Sequence, residues 1–386
     1  MKRWKVWAVS LLFFSLCACA RGGTASGTEG LPVQAGESAL SWDSLAWSGS
    51  LELTYAQQFS VDYAQEGFAR IIIDGGVYLL VPEDGLCPAD VPEEVVVLRR
   101  PLENIYLQAT AAMDCFRQLD AIDAVTLSGT QEEGWYIPEA RQAMEDGRMV
   151  YAGKYSAPDY ELIKSQNCDL ALESTMIYHN PEVKEQLERL GIPVLVERSS
   201  YESHPLGRME WVKLYGVLLG LEEAADIYFN DQLEQLTPIL GRENTGKTVA
   251  FFSITSNGSV TVRKPGDYIA KAIALAGGVY VLQNLPGEEN ALSTMNIQME
   301  TFYQEAKDAD ILIYNSAIEA DLDTLAQLTA KSAPLADFKA VQNGDVWCTG
   351  KSMFQESQSV GDMILDIHTI LTEPDSSQLT YLHRLT

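Results

Sequence analysis

The sequence predicts an α/β protein of two lobes, each with a mainly parallel sheet, joined by a long α-helix. Short apolar segments alternate with amphipathic helical segments up to residue 205, and the same alternation resumes after residue 246. Strands and helices in this order form parallel sheets that are covered on both faces. Between the two regions, residues 206–240 have no strand pattern, and apolar residues recur there at helical spacing. We therefore expect a lobe, a linking helix and a second lobe.

The first lobe is predicted to start with antiparallel strands and to continue as β–α units. Apolar and polar residues alternate in 51–55, 59–63 and 70–81, and Asp74-Gly75-Gly76 is typical of a hairpin turn. The next strands are expected at residues 95–98, 124–127, 169–172 and 193–196. The helices between and after them are expected at residues 105–119, 138–145, 157–166 and 181–190.

In the linking region, Gly220 is expected to separate a helix at 209–219 from the long helix, which Pro238 should bend or end. The stripe of the long helix consists of Leu221, Ala225, Phe229, Leu233, Leu236 and Leu240. In the second lobe we expect strands at 249–254, 311–314 and 346–348 and helices at 268–276, 299–307, 322–330 and 361–371. The predicted boundaries are 46–205 for the first lobe, 206–240 for the linking region and 241–386 for the second lobe.

The first eighteen residues have the pattern of a secretory signal. A basic head with Lys2, Arg3 and Lys5 precedes an apolar run at 7–16. Small residues followed by Cys19 resemble the lipobox that lipoprotein signal peptidase reads. We therefore expect a mature chain that begins at a lipidated Cys19, is tethered by residues 19–45 and lies outside the cell membrane. A plain secretory signal with a chance cysteine is the alternative. The apolar run is shorter than the roughly 20 residues that span a bilayer.

Charge excludes one large class of partners. The chain of 386 residues has 27 basic and 54 acidic side chains, a formal net charge of −27. Such a surface repels phosphate backbones, so a nucleic-acid partner is not expected. It also disfavours adsorption to anionic lipids, so membrane attachment is expected through a lipid anchor alone.

Cysteines and histidines give no metal-binding pattern. The cysteines after the signal, Cys87, Cys115, Cys168 and Cys348, never approach CxxC spacing. Buried free thiols are favoured, and one disulfide is left open. The four histidines are far apart in the sequence, which argues against a zinc or manganese site built from histidines and leaves open a site assembled from distant residues.

The sequence lacks the common catalytic motifs. It contains no GxSxG, no GxxxxGK[ST], no HExxH and no GxGxxG after a strand. Gly246-Lys247-Thr248 looks like the end of a phosphate-binding loop, but it lacks the upstream glycine and precedes a strand. We therefore do not expect an enzyme.

Three pairs of stretches resemble the substrate-binding lipoproteins of ABC transporters for cobalamin and ferric siderophores. They are 159–172 with 187–194, 205–211 with 219–225, and 274–278 with 309–314. The resemblance implies two Rossmann-like lobes joined by a rigid helix, a ligand cleft between the lobes, and small lobe closure. It also implies that an ABC permease dimer and its ATPase are partners.

In this family one surface glutamate on each lobe meets arginines of the permease, and the matching residues are Glu161 and Glu300. Each stands at the start of a predicted helix that runs into an aspartate and an apolar strand. A carboxylate–arginine pair on each lobe would orient the receptor over the transport path. The alternative is that both are acids favoured in a first helical turn by the helix dipole.

Candidate ligand-binding residues lie in loops beyond the carboxyl ends of predicted strands, where doubly wound sheets bind ligands. They are Trp135, Tyr155, Tyr178, Arg208, Asn257, Arg263, Lys264, Asn315 and Phe354. Aromatic rings with a few cations suit a bulky, partly anionic ligand such as a corrinoid, haem or ferric chelate. The alternatives are that the aromatics pack under loops, that Arg263 and Lys264 lie in a solvated hairpin, and that Arg208 pairs with Glu202 or Glu210.

The predicted function is therefore a monomeric solute receptor of an ABC importer, with no cofactor of its own. Two other functions stay open at this point. One is a receptor for a bare metal ion. The other is a surface lipoprotein hydrolase or adhesion module that works without a transporter.

Overall fold

The first predicted strand region forms an ordered sheet at the beginning of the described chain. A computed structural model describes residues 40–285, 294–317, 321–373 and 378–386. The predicted signal and Cys19 lie outside these residues. The last part of the predicted tether lies inside them, and it packs on the sheet through bonds from Ser41 Oγ and the Trp42 amide to the Asp90 carboxylate at 2.7 and 2.6 Å.

The strands fall into three sheets and one short ribbon. They are β1 Trp47–Ser50, β2 Phe59–Ala64, β3 Ala69–Ile73, β4 Gly76–Val81, β5 Val95–Arg99, β6 Ile105–Leu107, β7 Val125–Ser128, β8 Val150–Tyr151, β9 Gly153–Lys154, β10 Ala157–Pro158, β11 Leu170–Ser174, β12 Val194–Glu197, β13 Thr248–Ile254, β14 Val260–Arg263, β15 Val279–Tyr280, β16 Thr294–Ile297, β17 Ile311–Tyr314, β18 Val346–Thr349 and β19 Leu382–Arg384.

The helices alternate with the strands of the second and third sheets. They are α1 Met113–Gln118, α2 Pro138–Glu145, α3 Tyr160–Ser165, α4 Pro181–Arg189, α5 Pro205–Glu210, α6 Val212–Leu219, α7 Glu222–Leu236, α8 Tyr268–Leu275, α9 Met299–Ala306, α10 Leu325–Lys331, α11 Lys339–Asn343 and α12 Val360–Thr372. No helix of the described residues has both the length and the apolar character needed to cross a bilayer.

The first sheet has the order β1-β2-β3-β4-β5 and is antiparallel except between β4 and β5. Its β3–β4 hairpin turns at Asp74 and Gly75, whose φ angles of 50° and 80° fit the predicted turn. Residues 51–55, predicted as a strand, are a loop instead. The amides of Thr54, Tyr55 and Ala56 donate to the Glu210 carboxylate rather than to a neighbouring strand.

The second sheet is wholly parallel, in the order β12-β11-β6-β7-β8. Leu172 of β11 lies opposite Leu107 on one side and Leu195 on the other, at the centre of the sheet. The predicted helix at 105–119 is therefore wrong in its first half. Residues 105–107 form a buried central strand, and the helix is confined to α1. The predicted helix at 157–166 likewise begins only at Tyr160, after β10.

The third sheet is mixed, with a parallel centre. Strands β15, β13, β17 and β18 run parallel, whereas β14, β16 and β19 are antiparallel additions. The prediction of a mainly parallel sheet holds for this centre and fails at the edges. The antiparallel strands β14 and β19 come from short segments that follow a tight turn or end the chain, which the β–α pattern does not reveal.

The linking region consists of three helices, where the sequence predicts two, because the residues before Gly220 form α5 and α6 and not one helix from 209 to 219. Gly220, with a φ of 74°, separates α6 from α7 as predicted, and α7 ends at Leu236 just before Pro238. The region touches elements on both sides. Tyr215 packs against Phe116 with ring centroids 5.3 Å apart, and Arg208 lies 3.6 Å from the centre of the Tyr268 ring. Residues 40–386 form one compact unit, so the lobe boundaries stay predictions.

Candidate ligand-binding site

A cavity of about 170 Å³ lies where the second sheet, helix α5 and the third sheet meet. From the side of the second sheet it is lined by Ala111, Ser199 and Ser200, and from α5 by Arg208. From the side of the third sheet it is lined by Tyr268, Met353, Phe354, Glu356, Ser357, Val360, Met363 and Tyr381. The cavity is therefore lined by residues from both halves of the chain and from the helix between them.

Arg208 is held in this cavity by backbone carbonyls. Its Nη2 donates to the Ser200 oxygen at 2.5 Å and its Nε to the Glu202 oxygen at 3.3 Å, while its guanidinium stacks on Tyr268. Burial lowers the pKa of Arg208, although an arginine stays charged. The alternative in which Arg208 pairs with a neighbouring glutamate is wrong, because the Glu202 and Glu210 carboxylates bind backbone amides of residues 54–58.

Arg263 adds a second cation beside the same aromatic ring. It ends β14, is only 8% exposed, and its Nη1 lies 3.4 Å from the Asp267 carboxylate. Its guanidinium carbon lies 5.7 Å from the ring centre of Tyr268 and 5.8 Å from that of Phe354. Burial raises the pKa of Asp267, and the Arg263 charge opposes that rise. The solvated-hairpin alternative is therefore wrong for Arg263.

Phe354 completes this group, which we call the arginine–aromatic cluster: Arg208, Arg263, Tyr268 and Phe354. Phe354 is 38% exposed and lines the cavity. Arginine side chains stacked on aromatic rings bind planar or carboxylate-bearing groups through both the charge and the ring face. Of the nine predicted ligand-binding residues, the structure brings Arg208, Arg263 and Phe354 together here.

Two other predicted residues are core residues. Trp135 is 0% exposed, and its Nε1 donates to Ser128 Oγ at 3.1 Å inside the first part of the chain. Asn315 is buried, and its side-chain oxygen accepts the Ala317 amide at 3.0 Å. Both follow a buried strand in sequence, but their side chains turn into the protein.

The remaining predicted residues lie apart from the cavity lining. Asn257 is exposed at the β13–β14 turn, where its side-chain oxygen accepts from Thr255 and from the Ser259 amide. Lys264 follows β14, and Tyr155 lies in the turn of the β9–β10 ribbon. Both are half-buried.

Tyr178 lies on a separate groove of about 730 Å³ between the β5 edge of the first sheet and the β12–α4 side of the second. Ion pairs occur within its lining, with Arg198 2.6 Å from Asp74 and Lys184 against Glu188. The groove is larger than the cavity, but its lining in the described part of the chain contains no residue of α5–α7 or of the third sheet and none of the arginine–aromatic cluster.

The predicted docking residues occupy matching positions in two helices, each of which precedes a strand of the second or third sheet. Glu161 lies in the first turn of α3, which Asp159 caps at the Leu162 amide, and the strand β11 follows. Glu300 lies in the first turn of α9, before β17. Both side chains are exposed. A helix dipole favours an acid at either position, so the geometry is compatible with docking and with a purely local role.

Metal-ligating residues are scattered. Within the described ranges, no group of three or more His, Cys, Asp or Glu side chains is placed to hold a metal ion. Cys115, Cys168 and Cys348 are buried free thiols as favoured, and Cys87 is a half-buried free thiol. His383 contacts Cys348 and the Leu322 oxygen, and the Cys348 interaction raises its pKa to about 9.

The sequence did not point to Tyr268 or to residues 355–358. Tyr268 starts α8 directly after its cap Asp267, which accepts the Ile269 amide at 2.9 Å. The spacing of Arg263 and Asp267, four residues apart around a Pro-Gly turn, is the signal that could have placed Tyr268 beside Arg263.

The fold is shared with periplasmic binding proteins of known structure. A periplasmic heme-binding protein of Pseudomonas aeruginosa matches with a TM-score of 0.56 and 14% identity, over 74% of this chain and 98% of that protein. A periplasmic catecholate-siderophore binding protein of Vibrio cholerae matches with a TM-score of 0.53 and 13% identity, over 70% and 94%. Both proteins are described as periplasmic binding proteins, one for heme and one for a catecholate siderophore. The resemblance drawn from the sequence is thus confirmed for the fold.

Two relatives found by sequence are described as uncharacterized lipoproteins. One uncharacterized lipoprotein of Methanocaldococcus jannaschii is 27% identical over 240 residues, covering 61% of this chain and 56% of that relative. A second from the same organism is 25% identical over 306 residues, covering 75% of this chain and 74% of the relative. The chain thus spans little more than half the length of the first relative. No family model matches the chain.

Proposed function

We propose that this chain is the extracytoplasmic solute-binding lipoprotein of an ABC importer. It captures an iron chelate, either a ferric siderophore or haem, or else a corrinoid, and delivers it to a permease dimer driven by an ATPase. The shared fold with periplasmic heme- and siderophore-binding proteins supports this proposal. The names of the relatives and the sequence pattern up to Cys19 support a lipid anchor.

The observation that carries the ligand class is the arginine–aromatic cluster. Arg208 and Arg263 come from different elements and meet at the Tyr268 ring, in a protein with a net charge of −27. Among the described residues, Arg208 lines the cavity and has only backbone oxygens as hydrogen-bond acceptors, while Arg263 lies beside it with the single carboxylate of Asp267 nearby. The pair of arginines therefore keeps an excess of positive charge that favours a negative ligand. Carboxylates of haem or oxygens of a catecholate pair with guanidinium groups, while the flat part of the ligand covers aromatic faces.

The rival functions have weaker support. A bare metal ion needs several oxygen, nitrogen or sulfur ligands at short range, and the described residues do not gather them. A hydrolase or adhesion module has no specific observation in its favour. A receptor for a metal chelate, in contrast, is supported both by the cavity and by the shared fold.

We expect the purified mature protein to bind haem, a corrinoid or a ferric catecholate at micromolar concentration, detected by ligand absorbance and tryptophan fluorescence. Arg208→Gln and Arg263→Gln should each weaken the tightest ligand by roughly 10- to 100-fold, since each removes a charge-assisted bond. Arg242→Gln, an exposed arginine in the same half of the chain, is the matched control and should bind normally. A protein that responds to none of the three ligands would refute the ligand class.

Delivery would use Glu161 and Glu300 as contacts to permease arginines. In the double variant Glu161→Lys/Glu300→Lys we expect unchanged ligand affinity and loss of ligand uptake by cells that express the transporter. Glu182→Lys/Glu305→Lys makes the same charge change at other exposed helix positions and should leave uptake intact. Normal uptake by the first pair, or equal loss by both pairs, would remove the docking assignment.

A further inference from the structure

One short segment of the C-terminal half lines the cavity and forms hydrogen bonds with residues on the opposite side of it. Residues 353–358, which we call the latch, follow β18. They include the last two residues of the 3-10 turn Lys351–Phe354 and the first two of the 3-10 turn Ser357–Ser359. Four latch residues, Met353, Phe354, Glu356 and Ser357, line the cavity. The latch therefore lies beside Arg208 and Tyr268 and contributes Phe354 to the arginine–aromatic cluster.

Four consecutive latch residues bind loops and helix α1 on the other side. The Gln355 side chain donates to the Gly134 oxygen at 2.6 Å and accepts the Tyr136 amide at 2.7 Å. Ser357 Oγ donates to the Ala111 oxygen at 2.8 Å. Glu356 lies 3.5 Å from Arg117. The latch thus forms hydrogen bonds with backbone groups of Ala111, Gly134 and Tyr136 and an ion pair with one charged side chain.

The last latch residue is anchored on two buried groups. The Gln358 amide donates to the Asp114 carboxylate at 2.7 Å, and its side chain donates to Cys115 Sγ at 3.2 Å. Asp114 is itself held by Arg117 at 2.6 Å. Gln358 Oε1, in contrast, is buried without a hydrogen-bond partner in the described part of the chain. Closing the latch therefore leaves one polar atom unsatisfied, which lowers the cost of opening it.

The cavity beneath the latch is too small for a bulky ligand. Its volume of about 170 Å³ lies below the roughly 300 Å³ at which pockets for drug-sized ligands begin. A ligand the size of a metal chelate can reach Arg208 and Tyr268 only if part of the wall moves. The latch is a short segment of 3-10 turns that is joined to the opposite wall by the side chains of Gln355 and Ser357, so we expect it to move before the helices beside the cavity do.

We propose that residues 353–358 open as a unit, without unfolding of the rest of the protein, and so give access to the arginine–aromatic cluster. Opening breaks the bonds of Gln355, Ser357 and Gln358 together and uncovers Cys115, the contact of the Gln358 side chain. That the opening serves entry of a chelate rests on the proposed function. The opening itself can be measured without any ligand.

The test is the rate at which N-ethylmaleimide alkylates each cysteine of the ligand-free protein, resolved by peptide mass spectrometry. In the unmodified protein Cys115 should react faster than Cys348, which is 0% exposed and reports unfolding. Gln355→Ala removes two bonds from the latch but leaves the contacts of Gln358 in place, so it should accelerate Cys115 alone by roughly tenfold. Ser357→Ala should accelerate Cys115 by a smaller factor, and Gln342→Ala, an exposed glutamine of α11, should not change it.

Equal rates at Cys115 and Cys348 in every variant would overturn the proposal, because exposure would then require global unfolding. An unchanged Cys115 rate in Gln355→Ala would overturn it too, because the latch would not move as a unit. These failures differ from failure of the proposed function, in which Cys115 would respond as expected while haem, corrinoid and ferric catecholate all fail to bind.

Discussion

Replacing Glu210 by alanine is expected to lower the free energy of unfolding by about 3 kcal/mol or more. The Glu210 side chain is 0% exposed, and its carboxylate accepts the amides of Thr54, Tyr55 and Ala56 at 2.8, 2.7 and 2.7 Å. Alanine would remove the acceptor of three part-buried hydrogen bonds, two of them from the half-buried residues Tyr55 and Ala56. Each amide that loses its partner where water cannot replace it costs roughly 1–3 kcal/mol. Urea denaturation followed by tryptophan fluorescence measures the difference.

The expected loss of stability is specific to the hydrogen bonds between the Glu210 carboxylate and the amides of residues 54–56. Glu223→Ala, at an exposed glutamate in the first turn of α7, is the matched control and should change stability by less than about 0.5 kcal/mol. Glu210→Gln keeps one acceptor oxygen and should fall between the two. A loss below about 1 kcal/mol for Glu210→Ala would show that the loop at 51–58 does not depend on this carboxylate.

Glu173→Gln is expected to remove a large pH dependence of stability. Glu173 lies in β11, is 0% exposed, and neither carboxylate oxygen has a hydrogen-bond partner among the described residues. Burial raises its pKa to about 8. Because the folded state keeps the proton up to that pH while the unfolded state loses it near its ordinary pKa of about 4.3, the wild type should lose stability as pH rises between these values.

The measurement is the free energy of unfolding at pH 5, 6, 7 and 8 for the wild type and for Glu173→Gln. One pH unit in this window is worth about 1.4 kcal/mol, so the variant should gain roughly 3 kcal/mol on the wild type between pH 5 and pH 8. Other buried acids, such as Asp114 and Asp267, are present in both proteins and cancel in this difference. A constant difference across the four pH values would mean that Glu173 is ionised in the folded protein.

Much of the fold follows from local pattern. Helices such as α2 and strands such as β17 were predicted with their observed bounds, because each has clear apolar periodicity and a proline or aspartate at its start. The sequence predicts a helix at the central strand β6, because three apolar residues are too few to show the two-residue alternation of a strand and the helical pattern after them extends over them. Its identity depends on partners β7 and β11, which are close to it only in the folded chain.

The candidate site was predictable only in part. Arg263 could be singled out together with Lys264, because cations are scarce in this acidic chain and the two lie in a loop rich in Gly, Ser and Asn. Position after a strand does not fix where a side chain points, so Trp135 and Asn315 were predicted in the cleft and lie in the core. Glu210 binds the loop at 54–56, and Gln358 of the latch binds Asp114. The residues of each pair are far apart in sequence, and a single sequence contains no sign of such pairs.

The central claim is that the arginine–aromatic cluster holds an anionic chelate or corrinoid. The most direct test is a crystal structure of the protein with the tightest ligand from the titrations, with the ligand metal located by anomalous scattering. We predict ligand density against Arg208, Arg263 and Tyr268, with residues 353–358 displaced from Gly134 and Ala111. Density in the groove beside Tyr178, with the cavity unchanged, would contradict the account.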